Sequence, residues 1–92
     1  MQIEFDPAKD AANVQKHGVS LALADALDWD SLWANPDQRH DYGEVRMLGY
    51  ALLDVRLYCV VFVDRSDVRR VISLRKANDR EKVLYAKIFD AA

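Results

Sequence analysis

The 92-residue chain holds one cysteine, two prolines and three glycines. A single cysteine excludes an intramolecular disulfide and any cysteine-based metal site built within one chain. Cys59 lies in the apolar run Leu57 to Val63 and is expected to be a buried thiol that packs as a small hydrophobe. No low-complexity linker or internal repeat is present, and the length fits one domain over residues 1–92 with no room for two. No apolar run approaches the ~18 residues that suggest a membrane span. The opening MQIEFDPAKD has neither a basic n-region nor an apolar h-region, so a cytoplasmic protein without a membrane partner is expected. Glycine-rich phosphate loops, a nucleophile elbow and a dinucleotide fingerprint are also missing, which leaves ATPase, serine hydrolase and dehydrogenase chemistry without support.

Positive charge is not in excess. Thirteen Lys and Arg against fifteen Asp and Glu give a net charge of −2 and a pI near 5.6, arguing against a nonspecific polycationic binder. The charge is uneven, however. Residues 1–40 hold three basic and seven acidic side chains, net −4, whereas residues 65–87 hold eight basic and three acidic, net +5. An anionic ligand is expected at the second stretch. A chain of this size buries roughly 60% of its unfolded surface or a little more, which makes a partner or a homodimer a natural source of further stability.

Local signals give an α+β order. Ile3 and Phe5 alternate with polar neighbours, predicting a short strand. Asp6-Pro7 then supplies an N-cap and a proline at the first helical position, opening a helix that Gly18 ends. Ser20 caps a second helix expected over residues 21–29, apolar nearly all round. Trp29 to His40 read as a short strand leading into a loop. Val45 to Leu53, Leu57 to Val63 and Val68 to Leu74 are strand-length, and the breaks at Asp54-Val55-Arg56 and Asp64 to Asp67 suit hairpins of an antiparallel meander. Val55 disfavours positive φ, so the first hairpin is expected to depart from a glycine turn. Asn78 with Glu81 three residues later forms a capping-box start, followed by Leu84, Tyr85, Ile88 and Phe89 on one face of a closing helix.

Two groups of side chains stand out. Lys9, Asn13, Lys16 and His17 fall at i, i+4, i+7 and i+8 of the first helix, giving one face two amines, an amide and an imidazole. The plain alternative is two solvated lysines and a last-turn histidine that suits the helix dipole. His17 is the chain's best acid/base, since imidazole titrates near neutrality. In the last strand, alternation puts Arg69, Val71, Ser73 and Arg75 on one face and Arg70, Ile72 and Leu74 on a core-facing one. Guanidinium groups of the first set suit forked binding of phosphate, although arginines are also common on exposed sheet faces. Arg46 would join this surface if the strand order brings it close. His17 and His40 with Asp37 or Asp41 lack the short spacings of metal sites, so no metal or other cofactor is expected. Tyr85 reads as core, with its hydroxyl able to reach the sheet edge.

Three segments carry a family resemblance: FDPAKDAANVQKHGVSLALA, then DYGEVR with DVRLYCVVFV, and the closing RRVISLRKANDREKVLY. With KHGVS and ISLRKANDRE at opposite ends, the chain resembles the BrnT family of bacterial toxins over nearly its whole length. The resemblance implies a type II toxin–antitoxin toxin with a RelE-like fold, an antiparallel sheet with two N-terminal helices and a C-terminal helix packed on it. It implies a ribonuclease that blocks translation and is neutralised by BrnA, a small ribbon-helix-helix antitoxin through which any contact with DNA would be indirect. Matching polar positions are Lys16, His17, Arg46, Arg75 and Lys76. His17 is expected as acid or base, Arg75 and Arg46 on the scissile phosphate with Lys16 assisting, and Lys9, Arg69, Lys76 and Arg80 as RNA contacts. The competing reading is a non-catalytic RelE-like module that grips an antitoxin or nucleic acid through its basic surface.

Overall fold

Five strands and three helical segments, seen in a computed structural model that describes residues 1–39 and 43–90, follow the chain in the order β1 (Gln2–Glu4), α1 (Pro7–His17), a 3₁₀ helix (Leu21–Ala26), β2 (Asp28–Pro36), β3 (Met47–Leu53), β4 (Arg56–Arg65), β5 (Val68–Lys76) and α2 (Asp79–Asp90). The architecture is α+β. No described helix is long and apolar enough to cross a membrane. The strands form one sheet in the order β1-β5-β4-β3-β2.

Strands β2 to β5 form the expected antiparallel meander, but β1 pairs with β5 in parallel, Ile3 opposite Arg69. The sheet is therefore mixed. The helices carry the chain from β1 to the far edge, and four strands of meander return β5 beside β1 pointing the same way. Arg70 to Glu4, 2.9 Å, ties this seam.

Asp6 caps α1 through Ala8 N–H, and Gly18 closes it at φ 71. The second segment differs from the expected helix over 21–29: it is 3₁₀, ends at Ala26, and leaves Leu27 extended. The Ala24 carbonyl explains this. It accepts from Leu27 N–H at 3.3 Å and from the Trp29 indole at 3.0 Å, fixing an i→i+3 turn in which Asp28 already begins β2. Its start is held by Asp10, whose carboxylate accepts from Ser20 Oγ and Leu21 N–H.

One face of the sheet buries Val60, Phe62, Val71 and Leu74 against Leu21 and Ala24 of the 3₁₀ helix. The other face packs Tyr50, Leu57 and Cys59 near Ala77, Trp33 and Tyr85. Burial on both faces is why β4 reads as an unbroken apolar run. The reciprocal capping box of α2 forms as expected, Glu81 N–H to Asn78 Oδ1 at 2.8 Å and Asn78 N–H to Glu81 Oε1 at 2.9 Å. Tyr85 reaches the edge strand, donating to the Ser31 carbonyl at 2.5 Å.

Strict alternation fails in β5. Val61 faces Ser73 while Phe62 faces Val71, leaving Ile72 as an extra residue. This bulge reverses the side-chain phase along the strand. Val71 and Leu74 thus share one core face, Ser73 and Arg75 emerge on the other, and Arg69 is separated from them. In the 54–56 hairpin the positive φ falls on Asp54, at 54°, and Val55 is simply exposed; aspartate tolerates that conformation better than a β-branched residue. Gly49 serves close packing: a Cβ there would stand 2.7 Å from Ala34 Cβ and 2.8 Å from the Trp33 carbonyl.

Candidate functional site

Beyond Arg70, β1 no longer covers β5, and the open strand edge is met by α1. Asn13, the one buried polar side chain among the described residues, makes the junction. Its Nδ2 donates to the Leu74 and Val19 carbonyls, both at 2.8 Å, and its Oδ1 accepts from Leu74 N–H at 3.2 Å. One side-chain amide thus pairs both polar groups of an edge residue that another strand would otherwise satisfy.

Anchored there, α1 overhangs the face of the sheet that the bulge gives to Ser73 and Arg75. Between them lies a groove of about 450 Å³, lined by Lys9, Lys16 and His17 of α1, Ser73 and Arg75 of β5, and Arg39 after β2. Leu48, Cys59, Val61 and Ile72 add apolar surface. The cluster on α1 and the distal arginine of β5, far apart in sequence, therefore face one hollow.

The charges in this groove are set by identifiable neighbours. The His17 imidazole titrates below its usual 6.5 because partial burial and the charges of Lys16 and Arg75 all disfavour its cation. It is neutral at pH 7, with a nitrogen able to accept a proton. Arg75 makes a two-pronged ion pair with Glu81, 2.7 and 2.8 Å, and Glu81 also accepts from the Tyr50 hydroxyl at 2.8 Å. Arg75 holds the Glu81 carboxyl down at about 2, while burial and the bond to Glu81 raise Tyr50. The guanidinium is thus locked in place from the α2 side. Among the described residues its Nε–H has no acceptor, which leaves a donor for an anion. Burial pushes the Cys59 thiol up to about 11, so it stays protonated in the groove wall.

The other expected residues lie elsewhere. Arg46 is half-buried just before β3, with its carbonyl accepting from Asp37 N–H, and does not line the groove. Arg69 is on the opposite face, paired with Asp64 at 2.7 and 2.9 Å and held over the rings of Trp29 and Phe62 at 4.7 and 4.3 Å. Its contacts are those of a structural clasp. Lys76 and Arg80 are exposed at the end of β5 and the start of α2, outside the groove lining. His40 and Asp41 lie outside the described residues; among those described, no three His, Cys, Asp or Glu gather as metal ligands.

Two participants escape the sequence. Arg39 gives no local signal, since its place in the groove depends on where β2 ends. Glu81 is readable as a capping residue, but its grip on Arg75 needs the position of α2 over the sheet. None of the curated proteins matches the chain. A family model does: residues 5–81, a span that takes in both walls of the groove and the Arg75–Glu81 pair, match the ribonuclease toxin BrnT of type II toxin–antitoxin systems, and the chain belongs to that family.

Proposed function

We propose that the groove between α1 and β5 is the ribonuclease centre of this toxin and that it cleaves RNA without a metal, through the substrate's own 2′-hydroxyl. The observation that carries the reading is the convergence of Lys16, His17 and Arg75 on one hollow in which the imidazole is neutral. His17 takes the proton of the 2′-hydroxyl as that oxygen attacks phosphorus. The bond from phosphorus to the 5′-oxygen breaks, and the leaving oxygen takes a proton from solvent. The products are a 2′,3′-cyclic phosphate and a 5′-hydroxyl end. Lys16 and Arg75 stabilise the charge that builds on the phosphate oxygens, and Lys9 and Arg39 hold neighbouring phosphates. Arg75 is fixed by Glu81 before substrate arrives, so little reorganisation is needed when charge develops.

The antitoxin of this type II pair is, on this reading, a small ribbon-helix-helix protein of the BrnA kind, and the toxin domain is RelE-like. The proposed centre is tested by cleavage of a labelled RNA in EDTA. Wild-type protein cuts and leaves cyclic phosphate ends, whereas Arg75→Ala and His17→Ala, shown to be folded by circular dichroism, lose about 10²-fold or more in rate. Abolition of cutting by EDTA, or wild-type rates in both variants, overturns it. No cutting by the wild type, with no growth arrest on expression, favours a binding module instead.

A further inference from the structure

Next to the basic groove, and sharing Arg39 and Leu48 with it, is a second hollow of about 340 Å³. Its character is different. Trp33, Leu48, Tyr50 and Leu84 give it apolar and aromatic walls, and Asn35 and Gln38 add two side-chain amides. The Trp33 indole lies 15° from the plane of Tyr50 with ring centroids 6.3 Å apart. Tyr50 is itself held by Glu81, so the indole rests on a fixed partner. Leu84 from α2 is 46% exposed and presents an apolar side chain to the hollow.

We propose that this hollow receives the unpaired base of a nucleotide flanking the scissile phosphate in single-stranded RNA, stacked on Trp33. The inference rests on the reading of the adjoining groove as the ribonuclease centre. Three features favour a base over other occupants. The volume is near the lower end of the ~300–1,000 Å³ of small-ligand sites, which suits one flat ring and not a helix of a protein partner. Aromatic faces beside amide groups are the means by which proteins hold splayed-out RNA bases, by stacking and by hydrogen bonds to the base edge. Continuity with the basic groove through Arg39 lets one strand place phosphate in the first hollow and base in the second. Trp33 and Asn35 then act in specificity and positioning, apart from the reacting atoms.

The test uses a single-stranded RNA cut at one place, with each flanking nucleotide replaced in turn by an abasic ribose so that every phosphate remains. One replacement is expected to lower kcat/KM of the wild type about ten-fold, chiefly through KM. That replacement has no further effect in Trp33→Ala or Leu84→Glu, while Trp33→Phe keeps the dependence; Leu84→Glu alters an exposed helix position and decides the matter if Trp33→Ala fails to fold. Indifference of the wild type at both positions, or undiminished base dependence in both variants, overturns the proposal while leaving the ribonuclease reading intact. A second readout needs no cleavage. In Trp29→Phe, Trp33 is the chain's remaining tryptophan, and a short deoxyadenylate oligomer is expected to quench its fluorescence where the abasic counterpart does not. Equal quenching by both, or by neither, overturns the proposal, whatever the outcome for catalysis.

Discussion

At the scale of single residues, the site depends on two titrations displaced in the same direction by different causes. His17 is lowered by burial and by the cations Lys16 and Arg75, so a base at this position is available at pH 7 and is lost only as pH falls below 6.5. The rate of RNA cleavage is therefore expected to be level near neutrality and to drop up to ten-fold per pH unit on the acid side, with that limb absent from any residual activity of His17→Ala. Stopped-time assays from pH 5 to 8 check this. Glu81 is lowered because Arg75 binds its charged form. A carboxyl depressed in the folded state contributes stability above its unfolded value of 4.5, and that contribution disappears as pH falls from 4.5 toward about 2. Urea unfolding at pH 6 and pH 3 should thus show wild type losing on the order of 1–2 kcal/mol more than Glu81→Gln, after solvent screening of a partly exposed pair is allowed for.

At the scale of elements, Asn13 joins a helix to a strand edge that would otherwise be open. Removing its amide leaves the Leu74 N–H and the Leu74 and Val19 carbonyls without their partner. Asn13→Ala is expected to cost about 2–3 kcal/mol in chemical denaturation, and to weaken catalysis as well, because the same contact ties α1, which carries His17, to β5 next to Arg75. The sequence showed Asn13 only as one polar position on a helical face, with nothing to mark it as buried. The capping signals of α1 and α2, the strands β3 to β5 and the lysine–histidine face were legible, since each depends on neighbours within a few residues. What could not be read depends on pairing between distant segments. The bulge at Ile72 is one case: β-branched alternation around it looks regular, and only the register of β4 reveals the phase change that parts Arg69 from Arg75. The early end of the 3₁₀ helix is another, set by Trp29 reaching back to Ala24.

At the scale of the whole molecule, net charge is a poor guide to how this toxin meets RNA. The chain carries −2 overall, and much of its basic stretch is spent internally: Arg65 on Glu44, Arg69 on Asp64, Arg70 on Glu4. What faces the groove is a small set of cations, Lys9, Lys16, Arg39 and Arg75, and two of these are themselves held by carboxylates, Arg39 by Asp37 and Arg75 by Glu81. Binding should then release few counterions. For single strands each neutralised phosphate contributes a slope of about −0.7 in log K against log salt, so contacts to three or four phosphates give roughly −2 to −3. Affinity of a non-cleavable 2′-deoxy oligonucleotide, measured by fluorescence anisotropy between low and moderate salt, should show that modest slope. Lys16→Ala should reduce its magnitude by ~0.7, whereas Arg69→Ala, on the other face of the sheet, should leave it unchanged in protein that remains folded. A slope steeper than that of a four-phosphate contact would mean that RNA also runs over Lys76 and Arg80, outside the groove.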